Sequence, residues 1–222
     1  MDEQNTSPRL SEVSDRFRAE SSEIEQAFLA SEDCHHVTQY TVPYAPHVDG
    51  CVVSLWDAWN RFLREVVLLS CSDTTIGSRG GLYTPTMKRN EEEVLNYLSV
   101  NAGRLGVRVV EREPNWYNVT QLAAITLELG LANSSQIIGA VGVSSIELGN
   151  AGTIVNPIED IRTVRNFIAH KTKTNLIKVR RLAQLSASEH VHSYLWSKTV
   201  GGVGRFSEWV TAMCVVADAV CF

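Results

Sequence analysis

One stretch decides more than any other what this chain can become. Between His47 and Leu69 the residues Val48, Cys51, Val52, Leu55, Trp56, Trp59, Phe62, Leu63, Val66 and Val67 are apolar. They recur at i, i+3, i+4 and i+7 over about five turns, which is the period of one face of an α-helix. The spacing predicts a long helix whose broad apolar stripe must be covered, with Asp49 as its N-cap.

The rest of the chain supplies helices to cover it. From Ser11, SEVSDRFRAESSEIEQAFLA sets Val13, Phe17, Ile24, Ala27 and Phe28 on one face and acids on the other. Further helical patterns cover Asn90 to Ala102, VTQLAAITLELGL, LIKVRRLAQL, the segment from His190 to Trp196, and Phe206 to Val220. SSQIIGAVGVSSIELGN reads as a short helix and a turn, and GVRVVEREPNWYN as a short strand or an extended connector. CHHVTQYTVPYAP and CSDTTIGSRGGLYTPTM read as loops; GSRGG lacks the spacing and the Lys-Ser/Thr of a phosphate-binding P-loop. Seven or eight helical patterns with at most one short strand or hairpin predict an all-α bundle with additional peripheral helices. No repeat and no linker interrupts it, so a single domain over 11–222 is expected after a flexible tail over 1–10.

Composition narrows the class. With 44% hydrophobic and 20% charged residues, the chain is globular in character. MDEQNTSPRL has neither a basic nor an apolar signal region, and no apolar run reaches the length of a membrane span. The five cysteines, Cys34, Cys51, Cys71, Cys214 and Cys221, are odd in number and form no CxxC pair. Reduced thiols in a cytoplasmic protein are therefore expected, not a disulfide frame or a structural zinc site.

The net charge of −5 argues against generic nucleic-acid binding, but the distribution of charge does not. Met1 to Asp33 holds nine acids and three bases. Arg162 to Arg181 holds seven bases, Arg162, Arg165, Lys171, Lys173, Lys178, Arg180 and Arg181, and no acid. Local clustering of this kind is the electrostatic footprint of a polyanion site.

The basic run grows out of NPIEDIRTVRNFIAHK. Asn156 is placed to cap this helix, Pro157 suits its first position, and Glu159 completes a capping-box-like pattern. Ile158, Ile161, Val164 and Ile168 share an apolar arc, and Arg165 falls inside it. An Arg so placed must snorkel, find a buried partner such as Glu147 or Asp160, or face a second surface. Asn166 and His170 are four apart, and His170 ends the helix. Cation, amide and imidazole together suit metal-independent RNA cleavage. A His moves protons near neutral pH, and an Arg fork stabilises phosphate charge. One His cannot readily be both base and acid, whereas two copies across a dimer would share those roles.

RNFIAH resembles the Arg-polar-x3-His motif of the HEPN superfamily (higher eukaryotes and prokaryotes nucleotide-binding domains). The likeness covers Asn156 to Lys171, with a weaker one over LWDAWNRFLREVVLL and FRAESSEIEQAFL. It implies an all-α, HEPN-like bundle and a metal-independent endoribonuclease of a prokaryotic defence or toxin–antitoxin system. Such an enzyme leaves a 2′,3′-cyclic phosphate and works as a homodimer without a cofactor. The alternative within the family is a non-catalytic module that binds RNA, nucleotide or protein. In this chain the catalytic set would be Arg165, Asn166 and His170. Arg162, Lys171, Lys173, Lys178, Arg180 and Arg181 would hold RNA, and an antitoxin or other defence protein would be the partner. Thr172 stands where some toxins of the family carry a Tyr that an antitoxin modifies, which speaks against that form of control.

Other residues also carry site chemistry. Cys34, His35, His36, His190 and His192 have metal-ligand chemistry but no shared spacing. Cys71 with His170 would make a nucleophile pair only by composition. Trp116 and Tyr117 would stack on bases if exposed.

Overall fold

The computed structural model describes residues 7–31, 45–148, 153–183, 191–198 and 202–222. Among them lie nine helices: α1 (Leu10–Leu29), α2 (Ala45–Ser72), α3 (Glu91–Leu105), α4 (Val119–Glu128), α5 (Ser134–Val141), α6 (Pro157–His170), α7 (Lys173–Ala183), α8 (Val191–Trp196) and α9 (Arg205–Val220). Three antiparallel hairpins join them: β1 (Thr75–Ile76) with β2 (Leu82–Tyr83), β3 (Val109–Val110) with β4 (Glu113–Pro114), and β5 (Ser145–Glu147) with β6 (Thr153–Val155). The fold is mostly α with peripheral helices, as the periodicity predicts. No helix of the described residues is long and apolar enough to cross a membrane.

The strand count corrects the expectation of at most one hairpin. Each strand has only two or three residues, too few for a period of two to register. The β3–β4 turn also lacks its usual sign. Glu111 and Arg112 both take positive φ, at 53° and 72°, where Asn-Gly would be the ordinary signal.

The described chain groups into two compact units. One takes the chain up to Phe17, Trp59–Gly142 and Val216–Phe222; the other takes Arg18–Ala58 and Val143–Val215. Three of the change-overs fall inside α1, α2 and α9. No shift in composition marks them, so the sequence reads as one domain over 11–222.

In the first unit the buried stripe of α2 continues through Phe62, Leu63, Val66 and Val67. Phe17 meets Trp59 edge-on at 5.5 Å and Phe62 at 5.2 Å. Val94, Leu98, Leu122, Ile125 and Ile137 complete the core. Burying each such aliphatic side chain is worth about 1.5–3 kcal/mol. α3 starts from a capping box, with Asn90 and Glu93 each accepting from the other's backbone N–H. The expected tail over 1–10 gives way before the helix: the Pro8 carbonyl accepts from Ile76 N at 3.0 Å, and Leu10 is fully buried. The GSRGG segment is the β1–β2 connection, and Ser78 N donates to the Cys221 carbonyl at 2.8 Å.

In the second unit Phe28 stacks on Trp196 at 4.1 Å and on Phe206 at 4.2 Å. Tyr194 meets Trp209 edge-on at 5.9 Å. β5 and β6 pair Ile146 with Ile154, both buried, and expose the residues on either side. That hairpin delivers the chain to α6, which packs on α7.

Candidate active site

Helix α6 runs from Pro157 to His170, as expected, but its start is built differently from the sequence reading. Asn156 adopts φ 49°, ψ 45° and makes no side-chain cap. Its backbone N–H is already used, donating to the Ser144 carbonyl at 2.7 Å at the end of the hairpin. The chain must reverse there, and Asn tolerates the left-handed conformation that the reversal needs. Glu159 therefore closes no capping box; it pairs with Arg162 at 2.5 Å. Asp49 is likewise no cap. α2 starts earlier, at Ala45, and Asp49 accepts from His192 Nε2 at 2.7 Å.

Pro157, Ile161, Val164 and Ile168 are the buried side of α6. Arg165 is half-buried beside them. Its Nη1 makes a long contact with Asn166 Oδ1 at 3.5 Å, and its Nε is buried without a hydrogen-bond partner in the described structure. Neither Glu147 nor Asp160 pairs with it among the described residues. A buried unsatisfied guanidinium N–H costs stability unless something accepts from it. His170 is exposed, and its imidazole makes no hydrogen bond among the described residues.

The corner after His170 is tight. Lys171 takes φ 45°, ψ 32° and its N–H returns to the Phe167 carbonyl at 2.7 Å. Thr172 Oγ1 then accepts from Asn175 N at 3.2 Å, capping α7. Asn175 Nδ2 donates to the Asn166 carbonyl at 3.1 Å. Along α7 only Val179 is buried. Lys171, Lys173, Lys178 and Arg181 are exposed and Arg180 is half-buried. Of the expected basic set, Arg162 pairs with the neighbouring carboxylate of Glu159.

Two of the other sequence candidates, Cys71 and Trp116, fall away from chemistry. Burial pushes the Cys71 thiol up to about 12, so it is no thiolate at neutral pH. Trp116 is buried and donates Nε1 to Glu113 at 2.8 Å, which makes it core, not a stacking platform. Cys34, His35, His36 and His190 lie outside the described residues. Among the described residues no three His, Cys, Asp or Glu side chains gather as metal ligands. Cys51, Cys71, Cys214 and Cys221 are buried, and none forms a disulfide among the described residues.

Two features had no sequence signal. Asp49 and His192 form a half-buried pair across 143 positions of chain. Asp160, in the first turn of α6, is pushed up to about 7 by burial and further by Glu159, against the pull of Arg205. Arg205 itself pairs with the buried Glu208 at 2.6 Å and lies 5.4 Å over the Tyr194 ring. Burial also pushes the Tyr194 hydroxyl up to about 12.

Compared with known protein families, curated proteins and solved structures, the chain matches none.

Proposed function

We propose that this chain is a HEPN-like, metal-independent endoribonuclease of a prokaryotic defence or toxin–antitoxin system. It acts in the cytoplasm as a homodimer that pairs two Arg–His motifs. One observation carries the reading. Arg165, with no carboxylate partner among the described residues, lies just over one turn before an exposed His170, at the root of a helix that holds bases and no acid.

In this reading the His170 imidazole takes the proton of an RNA 2′-hydroxyl, whose oxygen attacks the adjacent phosphorus. The imidazolium of the second copy gives its proton to the departing 5′-oxygen. The products are a 2′,3′-cyclic phosphate and a 5′-hydroxyl. Arg165 takes up the charge that develops on the phosphoryl oxygens, and Asn166 positions the scissile group. Lys171, Lys173, Lys178, Arg180 and Arg181 hold the RNA backbone, with Arg162 contributing less because Glu159 neutralises it. An antitoxin or other defence protein is the partner that the reading implies.

The test is RNA cleavage in EDTA by wild type, Arg165→Ala and His170→Ala, given total RNA and tRNA. The expected result is cleavage by wild type alone, with cyclic phosphate ends. Equal cleavage by all three would overturn the assignment. A second reading has one observation in its favour: the exposed His170 imidazole has no hydrogen bond among the described residues to orient it. On that reading the chain binds RNA, nucleotide or protein without cutting. Salt-dependent RNA binding with no cleavage by wild type would select it.

A further inference from the structure

The α6–α7 corner spends two separate groups of one residue in two directions. The backbone N–H of Asn175 is used locally, on the Thr172 hydroxyl at 3.2 Å that caps α7. The side-chain amide is thereby left for another task, and it reaches nine residues back to the Asn166 carbonyl at 3.1 Å. In a regular helix that carbonyl is the one that receives the N–H of the residue four later, here His170. The next N–H, that of Lys171, closes on the Phe167 carbonyl at 2.7 Å while Lys171 holds a left-handed conformation. The last turn of a helix ordinarily frays, because its carbonyls lack partners further along. Here it is pinned from outside, at the residue that carries the amide and one turn before the imidazole.

We infer that Asn175 is a positioning residue for Arg165, Asn166 and His170: its side-chain amide fastens the final turn of α6 and so fixes where the imidazole stands. The inference rests on the ribonuclease reading for its consequence in catalysis. It does not rest on that reading for its consequence in structure. Asn175 is half-buried in the corner. Its effect must travel through the Asn166 carbonyl.

Three variants separate the bond from the fold. Asn175→Ala removes the amide. Asn175→Asp keeps the size, and an acid suits the first turn of a helix, but it cannot donate. Asn175→Gln keeps a donor on a longer arm. Two measurements are made on each full chain. The first is amide hydrogen exchange at His170 and Lys171, with Ile161 and Val164 as internal controls. Exchange about tenfold faster at the two corner amides is expected in the Ala and Asp variants, with the controls unchanged and Gln closer to wild type. The second is steady-state RNA cleavage. A kcat reduced about tenfold or more, at a KM within about twofold, is expected for Ala and Asp, with partial recovery in Gln. Unchanged corner exchange in the Asp variant would overturn the inference. So would faster exchange with an unchanged kcat, or a loss of rate shared equally by Gln. A wild type that cleaves no RNA would count against the ribonuclease reading alone. The exchange result, which needs no substrate, would then decide whether Asn175 fastens the turn.

Discussion

His192 donates its Nε2 to Asp49 at 2.7 Å, and the pair sets α8 against the first turns of α2. Both side chains are 18% exposed, so the bond is worth more than a surface pair and less than a fully buried one. Asp49→Asn and His192→Ala are each expected to lower stability by about 1 kcal/mol, or about 2–4 °C in Tm. In a double-mutant cycle the two losses should fall short of adding. Strict additivity in urea unfolding would show that the pair contributes nothing as a pair.

Asp160 sets a pH dependence of unusual direction. Its carboxyl is raised to about 7 when folded, against an ordinary 3.8. Between those values the folded chain holds a proton that the unfolded chain has released. Stability from this group is therefore full below about pH 4 and falls as pH rises towards 7. Asp160→Asn should remove that slope. Discounted for the solvent that still reaches the site, the gain at pH 8 should be about 1 kcal/mol, with little change at pH 4. Urea titrations of both proteins at the two pH values give the comparison, and a parallel loss at both would contradict it.

Two glycines should respond in opposite directions. A Cβ on Gly77 would stand 2.3 Å from the Phe222 carbonyl oxygen, inside any real contact. Gly77→Ala must displace the strand or the C-terminal residue, at about 1–3 kcal/mol. Gly50, in the interior of α2, has nothing within 4 Å of that position. Gly50→Ala should stabilise by about 0.5–1 kcal/mol. Thermal melts of the two single variants decide both.

If α7 holds single-stranded RNA, its charges set the salt dependence of binding. Replacing Lys173, Lys178 and Arg181 by Ala together should flatten the slope of log K against log salt by about 2, at about 0.7 for each lost phosphate contact. Fluorescence anisotropy across a salt series measures it, and an unchanged slope would place the RNA elsewhere.

Arg165→Lys offers a sharper test than Arg165→Ala. Lysine keeps the charge and loses the planar fork. If bidentate contact to phosphate is what Arg165 supplies, the Lys variant should retain RNA affinity within about threefold and lose most of the cleavage rate. Full activity would reduce the requirement to charge alone.

The legible parts of the fold were those with many repeats of a period. The stripe from Val48 to Val67 is buried nearly throughout, and α6 ends at His170 where its pattern ends. What failed was local and short. Asn156 carries the right side chain for a cap, but its conformation is dictated by a hairpin that two- and three-residue strands do not announce. Asp49 carries the same chemistry and is taken by a histidine far along the chain. The candidate pair Arg165 and His170 could be found because both sit on one helix. Asn175 could not, because its proposed role depends on the angle between two helices, and Lys171-Thr172 gives no sign of it.

Helix α7 also has a mechanical consequence. Its Lys178 and Arg181 are three apart and like-charged, Lys173 opens the helix at the end that favours acids, and Val179 is its one buried residue. Left to itself such a helix is taut, its own charges working to unwind it. A phosphate chain laid along it would slacken that tension, so the helix should be held more firmly once a polyanion is bound than in dilute buffer.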